Sequence, residues 1–154
     1  MKEIKYYSQE TSFGCGPASL LIAYKALGIE YNETALTLEA GTTKEVGTDW
    51  GQMFYHAAER LKFPVELKSG SSYEDLMKDF GRGIIIVAWS MDADNEPGSH
   101  YSVVSGITDD LIELTDPGRS KEHWPSIMTK EEFVNKWFTD RFQGSYLLIK
   151  PKSS

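Results

Sequence analysis

Residues 14–28 read GCGPASLLIAYKALG, and the positions that follow Pro17 are apolar at nearly every step. Proline favours the first turn of a helix and glycine favours the position after its end, so Pro17 and Gly28 predict a helix over Pro17–Leu27. A helix that is apolar on every side is a buried one. We therefore expect this helix at the centre of the protein, with Cys15 just ahead of it.

The rest of the chain divides into a helical part and a later part made of strands. Apolar residues at helical spacing and capping residues predict four further helices: Glu33–Glu39, Asp49–Leu61, Tyr73–Phe80 and a last helix that begins at the capping box Thr129–Glu132. Short β-branched runs bounded by turns predict four strands: Gly83–Trp89, Tyr101–Ile107, Leu111–Thr115 and Gly144–Ile149. Helices first and an antiparallel sheet afterwards predict the α+β class.

The length and composition fit one globular domain that spans residues 1–154. The chain has 154 residues, of which 40% are hydrophobic, and this is enough to bury a core without disulfides. Its longest apolar runs are far shorter than the roughly 20 residues of a membrane helix, and its N-terminus has no apolar signal region. We expect no membrane association, and a cytoplasmic protein unless a signal peptide has been removed.

The charge of the chain argues against nucleic acid as a partner. The net charge is −7 at pH 7, and the Lys and Arg residues are scattered along the sequence. A protein that binds nucleic acid needs a basic stripe or patch. An acidic surface is compatible with cationic peptides, although it also serves solubility.

Cys15 is the only cysteine, so the chain can form neither an intramolecular disulfide nor a cysteine-based zinc site. An isolated cysteine is most often a small buried hydrophobic residue. Here it stands between Gly14 and Gly16 at the start of a helix, where unpaired backbone N–H groups favour a thiolate. The two glycines let the chain turn sharply and let a substrate approach the sulfur. This position makes Cys15 a candidate nucleophile.

Three histidines could supply the base that a thiol nucleophile needs. His56 falls within a predicted helix and His123 within a polar loop, so we expect packing or surface roles for both. His100 stands at the first position of a strand, after the polar loop Met91–Ser99, where its side chain can face a cleft. We therefore predict that His100 is the general base.

Asp116 ends the strand that pairs with the one beginning at His100. Side chains alternate between the two faces of a strand, so the pairing register decides whether the two residues share a face. If Ile107 lies opposite Leu111 across a three-residue loop, Asp116 lies opposite Ser102 and on the same face as His100. A two-residue loop would place it on the other face. A catalytic triad therefore predicts an odd-length loop or a β-bulge in this hairpin.

Gln9 is a candidate donor for the oxyanion that forms during acyl transfer. It precedes Cys15 by six residues, so its side-chain amide could lie beside the Cys15 backbone N–H. The alternative interpretation of Gln9 by itself is a surface glutamine.

Three motifs occur in a fixed order: QETSFGCGPASL at 9–20, HYSVVSGI at 100–107 and TDP at 115–117. Together they resemble the double-glycine, bacteriocin-processing cysteine peptidases and their stand-alone relatives, within the papain-like superfamily. The resemblance implies a papain-like α+β fold, in which a buried nucleophile helix packs on a C-terminal antiparallel sheet. It also implies that Cys15 is the nucleophile, His100 the base, Asp116 the acid that orients the histidine and Gln9 the oxyanion-hole glutamine.

The resemblance extends to other parts of the chain. Gly47 and Thr48 resemble the segment that lines the substrate groove of that family. Gly14 stands where transporter-linked members carry Asp, and no transporter segments follow, so we expect one of the stand-alone relatives. The implied reaction is hydrolysis of a peptide or amide bond through a thioester, without a cofactor or metal.

Other interpretations remain open at this stage. An acyltransferase would resolve the same thioester with an amine, and a non-catalytic relative would bind peptides without cleaving them. A metal site made of Cys15, His100 and Asp116 is disfavoured because such a mixed three-ligand set is uncommon. The cluster Asp92, Asp94, Asn95 and Glu96 lacks the spacing of a calcium-binding loop, so a solvated loop is favoured. Trp50, Trp89, Trp124 and the loop Met91–Ser99 could line substrate subsites, but core packing is the simpler interpretation of the tryptophans.

Overall fold

The computed structural model describes residues 1–11, 14–90 and 100–152, and the α+β class predicted from the sequence is confirmed. Its helices are α1 Cys15–Ala26, α2 Glu33–Glu39, α3 Trp50–Tyr55, which continues as a π-helical turn over His56–Arg60, α4 Tyr73–Asp79 and α5 Lys130–Trp137. Its strands are β1 Val65–Lys68, β2 Ile84–Trp89, β3 His100–Ile107, β4 Leu111–Thr115, β5 Ser126–Thr129 and β6 Tyr146–Ile149. No helix within these ranges is long and apolar enough to cross a bilayer.

The six strands form one antiparallel sheet in the order β1-β6-β2-β3-β4-β5. The inner strand β2 is buried at every position. Its side chains alternate between two apolar clusters, with Ile84, Ile86 and Ala88 in one and Ile85, Val87 and Trp89 in the other. A strand covered on both faces is apolar throughout rather than at every second residue, which is why β2 is recognisable in the sequence.

Helices cover both faces of the sheet. On one face α1 packs against β2 and β3, and every residue of α1 except Lys25 is buried. On the other face Leu76 of α4 joins Phe133 and Trp137 of α5 in the second apolar cluster. The predicted layout, with a buried helix behind Cys15 packed on a C-terminal sheet, is therefore confirmed.

Local side-chain chemistry fixes where several helices begin and end. Asp49, Ser72 and Thr129 are N-caps of α3, α4 and α5, and each forms a capping box with the residue three positions later. Such caps typically contribute about 1 kcal/mol each to helix stability. After the end of α1, Gly28 has a φ of +92°, a left-handed conformation that suits glycine.

Three features of the secondary structure differ from the sequence predictions. α1 begins at Cys15 rather than Pro17, so Cys15 itself lies in the first helical turn. The third helix is α-helical only to Tyr55 and then becomes π-helical. The sequence does not predict β1 and β5, because these four-residue strands form the two edges of the sheet and carry no continuous apolar run.

A buried polar network ties α1 to α2 and to the π-helical turn. Tyr24 Oη lies 2.8 Å from His56 Nδ1, and His56 Nε2 lies 2.8 Å from Glu39 Oε1. Glu39 also accepts a hydrogen bond from Tyr31 and pairs with Arg60 Nε at 3.0 Å. Burial lowers the pKa of His56 despite the neighbouring carboxylate, so the neutral ring donates to Glu39 and accepts from Tyr24. The packing role predicted for His56 is confirmed.

We predict that Tyr24→Phe lowers the free energy of unfolding by about 1–3 kcal/mol, because it leaves the buried Nδ1 of His56 without its donor. Urea denaturation followed by circular dichroism measures the change. Tyr55→Phe is the matched control: Tyr55 is 61% exposed, so its loss should cost less than about 0.5 kcal/mol. Equal stabilities for the Tyr24 variant and the wild type would contradict the role given to this hydrogen bond.

Candidate active site

Cys15 occupies the first position of α1, with Gly14 as the N-cap. Gly14 offers no side-chain cap, so the backbone N–H groups of the first turn remain directed towards the region ahead of the helix. These groups carry the positive end of the helix dipole, which favours a negatively charged sulfur there. Cys15 is buried at the edge of the apolar cluster around α1 and keeps 9% of its surface exposed.

Gly16 allows a neighbouring loop to close onto the start of α1. A Cβ at this position would come within 2.8 Å of the Thr48 side chain. Thr48 is itself held in place, because its Oγ1 lies 2.6 Å from Thr42 Oγ1 and its carbonyl accepts from Tyr101 Oη at 2.7 Å. The segment that the family resemblance assigns to the substrate groove therefore lies against the residue that follows Cys15.

His100 and Asp116 meet at the end of the β3–β4 hairpin. His100 Nε2 lies 2.8 Å from both carboxylate oxygens of Asp116. The Asp116 side chain is fully buried, whereas 16% of the His100 side chain is exposed. Cys15 lies close enough to the ring that its hydrogen bond to His100 is among the causes that raise the pKa of the imidazole. The structure thus brings Cys15, His100 and Asp116 together in one chain of hydrogen bonds.

The surroundings of His100 favour its protonated form. Burial by itself lowers the pKa of the imidazole, but the hydrogen bonds to Asp116 and Cys15 and the negative charges of both outweigh burial. Together they raise the pKa of His100 to about 9. At neutral pH the ring therefore holds a proton that it can later donate.

The loop predicted for the β3–β4 hairpin is wrong by one residue. Ile107 pairs with Ile112 rather than with Leu111, so four residues, 108–111, separate the paired positions. The turn closes this way because the Thr108 N–H donates to the Leu111 carbonyl at 2.8 Å. An even-length loop alone would place Asp116 on the face opposite to His100.

A β-bulge in β3 corrects this register. Ser105 is the extra residue of the bulge, and beyond it Val103 pairs with Thr115. The next step of the same register places Ser102 opposite Asp116, as predicted. Of the two features predicted to bring Asp116 to the same face as His100, the protein has the β-bulge and not the odd-length loop.

Gln9 lies beside His100. Its backbone N–H donates to the Pro117 carbonyl at 3.0 Å, and its side-chain Nε2 donates to the Thr11 carbonyl at 2.6 Å, which uses one of the two amide hydrogens. A Cβ at Gly118 would lie 3.2 Å from Gln9 Oε1 and 2.9 Å from His100 Cε1. The amide of Gln9 and the ring of His100 thus flank the same glycine.

Gly118 also lies at this site, although no sequence motif identifies it. Its N–H donates to Asp116 Oδ1 at 2.8 Å, and its missing side chain leaves the space that the His100 ring occupies. The sequence Asp116-Pro117-Gly118 does indicate a turn. The pattern does not show that the turn folds back onto the histidine, because that contact depends on the hairpin register.

The structure also places the remaining histidine and two of the three tryptophans that were considered as subsite residues. His123 is exposed and bonds to the neighbouring Ser120, in line with its predicted surface role. Trp89 meets the His100 ring edge-on, with 5.1 Å between centroids, and lines a cleft of about 580 Å³ together with Trp124. Trp89 is only 2% exposed and packs in the second apolar cluster, so the core-packing interpretation holds for it. A subsite role for either tryptophan stays a proposal.

The structure also places Trp50 and bears on the possible metal ligands. Trp50 packs edge-on against Tyr101, with 4.9 Å between centroids. The acidic residues 92–96 and the loop Met91–Ser99 lie outside the described residues. Within residues 1–11, 14–90 and 100–152, no three His, Cys, Asp or Glu side chains are grouped so that they could hold a metal ion.

The sequence of this chain is similar to a peptidase family and to known transport/processing proteins. Residues 1–145 match the profile of the Peptidase_C39 like family. The lactococcin transport/processing ATP-binding protein LcnC-like of Lactococcus lactis subsp. lactis (strain IL1403) is 29% identical over 154 residues, a match that covers 99% of this chain and 20% of that protein. The chain thus spans about a fifth of the length of this curated relative.

Two solved structures have a similar fold. The peptidase domain of Streptococcus ComA, a bi-functional ABC transporter involved in quorum sensing, superposes with a TM-score of 0.76 at 24% identity, over 97% of this chain and 100% of that one. A double glycine motif protease from an AMS/PCAT transporter, solved with its leader peptide, gives a TM-score of 0.69 at 19% identity, over 98% and 95% of the two chains. The papain-like α+β fold predicted from the sequence is confirmed.

We predict that Asp116→Asn lowers the pKa of the His100 imidazole from about 9 towards its ordinary value of 6.5, because the variant removes a negative charge that favours the protonated ring. A proton NMR titration of the histidine Cε1–H signals measures the midpoint. Glu113→Gln, in strand β4 just before Asp116, is the matched control and should leave the midpoint unchanged. If His100 titrated in both variants as in the wild type, the Asp116 carboxylate would not be what raises the pKa of the imidazole.

We predict that Gly118→Ala slows alkylation of Cys15 by iodoacetamide at pH 7 by roughly tenfold to a hundredfold, because a methyl group 2.9 Å from Cε1 displaces the His100 ring from the thiol. Gly51→Ala is the control, since its Cβ would meet only a side-chain oxygen of Asp49 at 3.3 Å. An unchanged alkylation rate in a folded Gly118 variant would show that the ring does not need this space.

Proposed function

The chain belongs to the Peptidase_C39 like family of cysteine peptidases, and from that membership we propose that it hydrolyses peptide bonds with a Cys15–His100–Asp116 triad. One observation supports this proposal above all others. The imidazole of His100 is hydrogen-bonded both to Cys15 and to the buried Asp116. This is the arrangement that activates a thiol nucleophile and orients its base.

In the first step the thiol proton resides on His100 and the Cys15 thiolate attacks the carbonyl carbon of the scissile bond. The S–C bond forms as the carbonyl π electrons move to the oxygen. Asp116 holds the ring through Nε2, and its charge stabilises the imidazolium. Asp116 stays ionised throughout.

The oxyanion that results needs hydrogen-bond donors. We assign this role to the backbone N–H of Cys15, at the start of α1, and to the side-chain amide of Gln9. The Nε2 of Gln9 is anchored on the Thr11 carbonyl through one hydrogen, and its second hydrogen is the one assigned to the oxyanion. Such donors act mainly in the transition state, where the charge develops.

His100 then completes the reaction as an acid and a base. The imidazolium gives its proton to the leaving amine as the C–N bond breaks, and a thioester of Cys15 remains. Water, deprotonated by the now neutral His100, attacks the thioester carbonyl, and the acid product leaves as the thiolate and imidazolium are restored. The raised pKa of His100, about 9, suits this role because the ring carries the proton at neutral pH.

The relatives suggest which peptide to test first. One similar solved structure is named a double glycine motif protease in complex with a leader peptide. We propose by analogy that this chain cleaves after a Gly-Gly pair, with the Thr48 segment beside Gly16 contacting the acyl side of the substrate. An amine in place of water would turn the same thioester into an acyl-transfer product, and added glycine amide reveals that alternative by mass spectrometry.

We predict that Cys15→Ala and His100→Ala each lower kcat/KM for an acyl-Gly-Gly-aminomethylcoumarin substrate by more than about 10³-fold, because each removes a partner in bond formation. Fluorescence release measures the rate, and circular dichroism checks that the variants fold. His123→Ala is the matched histidine control and should keep wild-type activity. Hydrolysis that survives the loss of the only cysteine would refute the mechanism.

A further inference from the structure

We propose that Glu33 is a positioning residue that holds the Gln9 amide in place for the oxyanion. This role rests on the proposed peptide hydrolysis and extends it to a residue outside the triad. Glu33 is the first residue of α2 and is only 6% exposed, although it carries a carboxylate. Nothing in the sequence motifs marks it for this role.

Glu33 binds the chain on both sides of Gln9. Its Oε2 accepts the backbone N–H of Glu10 at 3.0 Å. The Tyr7 hydroxyl lies within reach of this carboxylate and 3.5 Å from Glu10 Oε1, and burial together with the hydrogen bond to Glu33 raises the pKa of the hydroxyl. The residues bonded to Glu33 therefore stand two positions before Gln9 and one position after it.

Glu33 also lies against the residue that precedes Cys15. A Cβ at Gly14 would lie 3.6 Å from Glu33 Oε2 and 2.9 Å from Thr11 Oγ1. The Thr11 carbonyl accepts both the Gly14 N–H at 3.2 Å and the Gln9 amide at 2.6 Å. The Thr11 carbonyl therefore connects the Gln9 amide, the candidate oxyanion donor, to the residue before α1. Glu33 packs beside these hydrogen bonds.

The burial of Glu33 is costly for folding. Its second carboxylate oxygen, Oε1, is buried and has no hydrogen-bond partner among the described residues. A buried acceptor without a donor destabilises the folded state, and a side chain of similar size without charge would fill the same space. The cost points to a task at the neighbouring site rather than to stability.

The opposite side of Gln9 is held by the sheet. Its backbone N–H donates to Pro117, next to Asp116, at 3.0 Å. Gln9 is thus fixed from the helical half by Glu33 and from the strand half by Pro117. Without Glu33 one of these two holds is lost, and the amide moves relative to the oxyanion. Because the oxyanion exists only during the reaction, the loss lowers kcat and leaves KM nearly unchanged.

A double-mutant cycle tests this role. Glu33→Met keeps the buried volume and removes both acceptors. With acyl-Gly-Gly-aminomethylcoumarin as substrate, we expect it to lower kcat roughly tenfold, with KM within about twofold of wild type. We expect Gln9→Ala to lower kcat by roughly 10²-fold or more. In the Gln9→Ala background, Glu33→Met should then cost less than about twofold, because there is no amide left to position.

Two variants serve as controls. Glu33→Gln keeps an acceptor for the Glu10 N–H and should restore kcat to within about threefold of wild type. Glu39→Met makes the same substitution on the same helix, but its carboxylate binds His56 and Tyr31. It should lower the melting temperature without changing kcat. If Glu33→Met does not fold, Glu33→Ala takes its place in the cycle.

The outcomes separate this role from the proposed function. An equal loss of kcat in the wild-type and Gln9→Ala backgrounds, or a rise in KM alone, overturns the role of Glu33. A loss of kcat in Glu33→Gln as large as in Glu33→Met also overturns it, since the acceptor is then irrelevant. Hydrolysis that persists in Cys15→Ala overturns the peptidase mechanism itself, whatever Glu33 does.

Discussion

The hydrogen bond between His100 and the fully buried Asp116 is the interaction on which the site depends. Burying a carboxylate without hydrogen-bond donors costs roughly several kcal/mol of lost hydration. The imidazole of His100 and the Gly118 N–H together offset that cost. If the register between β3 and β4 shifted by one residue, neither the His100 nor the Asp116 side chain would be long enough to keep this hydrogen bond. The hairpin turn and the bulge at Ser105 are therefore constrained by a single contact at the end of the sheet.

The position of α1 then determines whether this pair can act on a thiol. α1 packs its length on β2 and β3, which brings its first residue to the sheet end where His100 begins β3. The helix start favours a negative sulfur and Asp116 favours a positive ring, so each charge stabilises the other. Burial opposes the charge on His100, but the two partners outweigh it. The apolar core thus holds a polar site in which the Asp116 side chain is fully buried and 16% of the His100 side chain stays exposed.

Much of this arrangement can be predicted from the sequence. The continuous apolar runs of α1 and β2, and the caps at Asp49, Ser72 and Thr129, depend on local residue types and are recognisable. The face shared by His100 and Asp116 follows from strand alternation. Loop length does not, because the four-residue turn and the compensating bulge give the same parity as a three-residue turn alone. The edge strands β1 and β5 are too short to give a clear pattern.

The residues hardest to predict are those placed by backbone hydrogen bonds. Residues 1–11 contain no helix or strand, yet Tyr6 Oη donates to the Arg119 carbonyl at 2.6 Å, and the Gln9 N–H donates to Pro117. Every residue carries a carbonyl, so such acceptors have no signature in the sequence. The same holds for Gly118, whose role lies in the side chain it lacks. A motif can therefore indicate that Gln9 belongs to the site, but only the folded chain shows what keeps its amide there.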